Sequence, residues 1–121
     1  TDDGAYTDVT NCMMLAAIPG KVGDGAAAVA AGGTPTIKGA NATPTTVRRF
    51  LVGPKECEIT GVAMTPDRKT LFINVQHPGE DGSLGAMTSH WPASQTDASS
   101  TKRPRSATVV ITRSNGGEIA V

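Results

Sequence analysis

Two residues suited to chemistry, Glu58 and His77, fall in one stretch, Gly53 to Glu80 (GPKECEITGVAMTPDRKTLFINVQHPGE). The Glu58 carboxylate could hold a hard cation, or it could serve as a structural acceptor of backbone amides. His77 could ligate a metal or donate to a phosphate oxygen; standing before a proline, it also suits a corner-stabilising role. Arg105 carries a planar guanidinium that matches a phosphate, with a structural ion pair as the alternative. Asp2 and Asp3 place two further carboxylates near the start of the sequence. Glu80 and Asp81 read as solvated loop acids, and Asp67 as a turn residue. Cys12 and Cys57 leave a disulfide and two buried thiols equally open, and no CxxC spacing points to zinc or redox chemistry. Neither a GxSxG elbow nor a Gly-Lys-Ser/Thr phosphate loop occurs, so serine-hydrolase and nucleotide-binding readings lack support.

The composition bounds what can position these groups. The 121 residues are the size of one ordinary domain. Eleven Lys and Arg balance eleven Asp and Glu, and no basic stripe forms, which argues against nucleic acid or an acidic membrane as partner. Aromatic residues are limited to Tyr6, Phe50, Phe72 and Trp91, while 14 Gly and 8 Pro favour strands and turns over long helices. No apolar run approaches the roughly 20 residues of a membrane-spanning helix. The opening Thr1-Asp2-Asp3-Gly4 lacks the pattern of a secretory signal and suggests a fragment or a processed product.

Along the chain, Asn11–Ile18 reads as a short buried strand closed by Pro19-Gly20. Residues 20–46 are Gly, Ala, Thr and Pro with few large side chains, and read as a long loop with at most a helical turn at Ala26–Ala31. Val47–Val52 is the next strand, its Arg48 and Arg49 more suited to edging a sheet than to binding a ligand. Ile59–Met64, the turn Thr65–Lys69 and Thr70–Val75 form a hairpin: proline fixes the first corner and Asp67 can bond backbone two residues on. A polar excursion over residues 77–105 follows, in which Trp91 is expected to pack on the sheet and His90 to bond backbone. Ser106–Arg113 alternates as a strand, and Asn115-Gly116 signals a turn into a last strand from Glu118 to Val121.

The pattern predicts an all-β chain. Residues 53–121 would make a four-stranded antiparallel blade with a long loop, and residues 1–52 the end of a preceding blade with a loop insertion at 20–46. Sequential four-stranded antiparallel sheets are the blades of a β-propeller, so the chain amounts to about one and a half to two blades of a larger one. In such a blade the first strand starts, and the second ends, at the same face of the central channel. Glu58 and the Gln76-His77 pair should therefore share that face, and Asp2 and Asp3 would point there from the preceding blade. Carboxylates gathered at a channel mouth suit cations such as calcium or ferric iron.

From Arg48 the sequence resembles the carboxy-terminal part of the PhoX-type alkaline phosphatase family. The likeness rests on RRFLVGPKECEITGVAMTPDRKTLFINVQHPGE, on SHWP at Ser89–Pro92 and on PRSATVVITRSNGG at Pro104–Gly117. TDDG and NCMMLAA near the start resemble the end of the preceding blade more weakly, and residues 20–46 look like an insertion.

The resemblance implies a periplasmic or secreted phosphomonoesterase that uses iron and calcium, with a metal-activated oxygen nucleophile and cations that neutralise charge. It also implies that most metal ligands, including the family's cysteine ligand to iron, lie outside this chain, so neither Cys12 nor Cys57 inherits that role. On this reading Glu58 is the first candidate metal ligand, with Asp2 and Asp3 behind it, and His77 and Arg105 are candidates to bind substrate. The partners would be a phosphate monoester and the remainder of the same propeller, or another copy of the chain covering exposed blade edges; the chain alone would be inactive. The rival reading is a propeller-derived binding or structural protein without metals or catalysis.

Overall fold

Alternation along Thr70–Gln76 organises the fold. Leu71, Ile73 and Val75 point to one side of the strand and are 5%, 1% and 4% exposed. Thr70, Phe72, Asn74 and Gln76 point to the other, as the two-residue period of a strand requires. In a computed structural model the chain is described over residues 9–18, 27–31, 34–38 and 43–119, with 27–31 and 34–38 as backbone. Seven strands run in order: β1 Met13–Ala17, β2 Ala27–Ala31, β3 Thr34–Lys38, β4 Val47–Val52, β5 Glu58–Met64, β6 Thr70–Gln76 and β7 Ala107–Thr112. No helix occurs among the described residues, so the all-β expectation holds.

The chain divides into two compact units, Thr1–Met14 with Leu51–Val121, and Leu15–Phe50. The first contains the antiparallel sheet β5-β6-β7. Its core is Cys12, Cys57, Ile59, Leu71, Ile73, Val75 and Ile119, with Met14, Leu51, Trp91, Val109 and Ile111 packed around it. Burying each large aliphatic side chain stabilises the fold by roughly 1.5–3 kcal/mol. Both cysteines are buried in this cluster.

Two local devices set the register. In β5 a bulge between Thr60 and Val62 is accommodated by Gly61, whose φ of +54° favours glycine. In the β5–β6 turn Asp67 Oδ1 accepts hydrogen bonds from the Thr65 hydroxyl at 2.6 Å and the Lys69 amide at 3.1 Å, as the TPDRK sequence predicts. At the far end of the chain, Gly116 N–H donates to Arg113 O to close the Asn-Gly turn. Ile119 N–H then reaches Arg68 O, beside an Arg68–Glu118 ion pair of 2.5 Å. Three strands of the expected four-stranded blade are thus seen; Glu118 and Ile119 are not strand, and Ala120 and Val121 lie outside the described residues.

In the second unit β2 and β3 pair antiparallel, Ala27 opposite Lys38 through Ala31 opposite Thr34. This corrects the reading of residues 20–46 as loop, and of Ala26–Ala31 as a possible helical turn. The pairing joins backbone groups, and Val29, Thr34, Thr36 and Ile37 supply β-branched residues. Pro35 is tolerated because a two-stranded sheet has an outer edge where no N–H is required. Arg48 in this unit donates from Nε to Pro44 O at 2.9 Å, a structural use in keeping with its place on a strand. Strands β1 and β4 pair with one another, as their place in a preceding blade predicts.

Candidate functional site

Antiparallel pairing of β5 with β6 places Glu58 directly opposite Gln76, so the residue after Gln76 emerges at the same end. That residue, His77, has a φ of +34°, and its amide donates to Ser106 Oγ at 3.0 Å. The imidazole stands between two carboxylates. Nε2 lies 3.6 Å from Glu58 Oε2 and Nδ1 lies 2.9 Å from Glu80 Oε2. All three side chains are about one third exposed (30%, 34% and 40% for Glu58, His77 and Glu80). The approach to Glu80 is close but not aligned for a hydrogen bond, so Nδ1 is enclosed without one. Glu58 and His77 share one strand end, as the blade argument predicts. Glu80, an exposed acid of the following turn as expected, joins them through His77 Nδ1.

A third carboxylate, unmarked in the sequence, lies beside the turn that follows. Glu56 has a φ of +52°, and its side chain is 11% exposed. Its carbonyl accepts the Gly79 amide at 2.9 Å and the Glu80 amide at 3.4 Å. Its carboxylate accepts from the Thr88 hydroxyl and from Lys55 Nζ at 2.9 Å. Enclosure pushes the carboxyl upward, but these donors outweigh it and hold Glu56 below the ordinary glutamate range. The surroundings exclude water while remaining polar, which is why desolvation loses.

The long excursion after β6 is built of turns pinned to the sheet. Trp91 packs on the core, and its carbonyl accepts the Arg105 amide at 3.0 Å. His90 Nδ1 lies 2.9 Å from Lys102 O. Both His90 and Trp91 are thus anchors, as the sequence predicts. Arg105 is exposed and follows Pro104 directly into Ser106, the acceptor of the His77 amide. Beside it a groove of about 430 Å³ is lined by the neutral polar residues Thr60, Asn74, Gln76, Ser106 and Thr108 together with Val75 and Ala107. Asp2 and Asp3 lie outside the described residues.

Among the described residues no group of three or more His, Cys, Asp or Glu side chains could hold a metal ion. The described residues therefore do not by themselves fit an iron–calcium centre. Their chemistry is that of an acid–imidazole–acid array at a strand end: acceptor oxygens, a ring that can carry a proton, and a neutral groove beside them.

A comparison with protein families matches residues 2–79, more than half of the chain, to the family described as alkaline phosphatase PhoX. The chain belongs to the alkaline phosphatase PhoX family. The matched segment contains Glu58 and His77 and ends at Gly79, so Ser89–Pro92 and β7 lie beyond it. Neither a search of curated proteins nor one of solved structures gave a match. No helix among the described residues is long and apolar enough to cross a membrane.

Proposed function

We propose that this chain forms part of a phosphatase that hydrolyses phosphate monoesters outside the cytoplasm, on a β-propeller completed by further blades. The observation that carries the reading is the family match over residues 2–79, which spans the strand end where Glu58 and His77 meet.

Within this reading Glu58 is a metal ligand, and Asp2 and Asp3 are further candidates. The cofactors are iron and calcium, with most of their ligands supplied from outside the described residues. His77 donates from its ring to a phosphate oxygen, and Arg105, next to the Ser106 that fixes the His77 amide, is placed to meet the same charge. The chain alone is inactive, because the array it presents has too few ligating groups.

Elemental analysis of the assembled protein, beside a phosphomonoester assay, tests this. Iron and calcium with hydrolysis are expected in the wild type. In Glu58→Gln, bound metal and activity should fall together, activity by about 10–100-fold or more. A metal-free, inert wild type would instead support a propeller-derived binding protein, and Glu58→Gln with full metal and activity would remove Glu58 from the site.

A further inference from the structure

The turn that carries His77 and Glu80 is conformationally costly. His77 at φ +34° and Gly79 at φ +75° place two left-handed residues within three positions, and Glu56, which faces them, is itself at +52°. Such backbones persist only where their surroundings over-determine them. Here the determining contacts gather at Lys55 and Glu56. Two consecutive amides, of Gly79 and Glu80, donate to the Glu56 carbonyl, and the Gly79 amide also reaches Lys55 O at 3.0 Å. Both carboxylate oxygens are also bound from the side: Oε1 by Lys55 Nζ, Oε2 by the Thr88 hydroxyl. Thr88 lies beyond the turn, so Glu56 joins the approach to β5, the turn after β6 and the following loop.

We propose that Glu56 is a positioning residue: its carboxylate, held by Thr88 and Lys55, fixes the backbone carbonyl that receives the Gly79 and Glu80 amides, and so sets the His77 imidazole between Glu58 and Glu80. It touches neither the imidazole nor the groove, and acts through the backbone of the turn. In its catalytic consequence the proposal rests on the phosphatase reading; in its structural content it does not. Side chains of the right charge but the wrong reach should fail: aspartate is one methylene short of Thr88. Glutamine keeps the length and one acceptor oxygen, and should retain part of the effect.

Amide hydrogen exchange and the His77 ring resonances, recorded by NMR on the full chain, test it. Thr88→Val and Glu56→Gln are expected to speed exchange at Gly79 and Glu80 by about tenfold, the equivalent of one hydrogen bond to a charged group. The Leu71 and Ile73 amides of β6 should stay within about twofold, as expected for a local opening. The His77 ring signals should shift in both variants, and Glu56→Asp should exceed Glu56→Gln in effect. Unchanged exchange at Gly79 and Glu80, an unmoved His77 ring, or uniform acceleration through β6 would overturn the proposal. Should Glu56→Asp not fold, Thr88→Val, which removes a single hydroxyl, decides alone. In the assembled enzyme Glu56→Gln should lower kcat with KM unchanged. A wild type that hydrolyses no phosphomonoester overturns the phosphatase reading, while the exchange pattern still decides the role of Glu56.

Discussion

His77 Nε2 stands 3.6 Å from Glu58 Oε2 across the end of a ladder in which Glu58 is the register partner of Gln76. The two residues are 19 positions apart in sequence and meet because the Thr65–Lys69 turn fixes where β6 begins. The site is thus a product of register: a one-residue slip of β6 would turn the Leu71, Ile73 and Val75 side chains out of the core. The core and the site are specified by the same pairing.

The backbone at His77 can be separated from its ring. At φ +34° alanine pays the left-handed penalty, about 1–2 kcal/mol in a full left-handed conformation, while glycine does not. Glycine's greater unfolded-state entropy offsets roughly 0.5–1 kcal/mol of that. His77→Gly should therefore be at least as stable as His77→Ala in urea unfolding, although both remove the imidazole and should lose activity equally. An alanine variant clearly more stable than the glycine one would show that this backbone is unstrained.

Packing contrasts sharply across the same sheet. Ile73 is 1% exposed and central to the core, whereas Val110 on β7 is 58% exposed. Ile73→Ala should cost about 2–5 kcal/mol, transfer and cavity together. Val110→Ala should stay within about 0.5 kcal/mol. Denaturant midpoints with unchanged m-values would check both, and similar losses for the two would contradict the core assignment.

The hairpin was legible because every signal agreed there: alternation in TLFINVQ, proline at the corner and an aspartate able to bond Lys69. From the hairpin alone, Glu58 and His77 could be placed at a common end. The β2–β3 pair was not legible, since AAVAA and TPTIK offer backbone pairing with little apolar contrast, and composition argued for loop. Glu56 and Glu80 were missed for a different reason. Their roles depend on positive φ at Glu56 and His77, residues that do not announce such a backbone as glycine would. The Thr88 partner is also 32 residues away, beyond any local pattern. The family likeness placed the chain correctly but carried no information on this clamp.

Gly79 is the residue of the turn least open to replacement. A Cβ there would stand 2.8 Å from Ser89 Cβ, and φ is +75°. Gly79→Ala should cost roughly 1–2 kcal/mol from conformation alone, with the clash added. Ser89→Gly in the same chain removes the closest contact but leaves the residue-89 amide nitrogen at 3.1 Å and the φ penalty, so it should restore stability only in part. Full restoration would locate the whole cost in packing; no restoration would locate it in the backbone.

The Thr65–Lys69 turn should make the stability of the hairpin depend on acid. The Thr65 hydroxyl, and after it the Lys69 amide, hold the Asp67 carboxyl below the ordinary aspartate value of 3.8. The unfolded chain therefore binds a proton at Asp67 more readily than the folded one does. Stability from this group is fully present above pH 3.8 and is lost as pH falls through the lowered folded value. Asp97, held low first by the Ser99 hydroxyl and then by the Ser99 amide, adds to the same acid limb with the same sign. Urea midpoints measured from pH 6 down to about pH 2 should fall for the wild type, and less steeply for Asp67→Asn, which has no proton to gain at that position. Asp67→Asn should also start from a lower midpoint at pH 6, because a carboxamide oxygen is a weaker acceptor than a carboxylate. Parallel curves for wild type and variant would show that the turn contributes nothing to the acid limb.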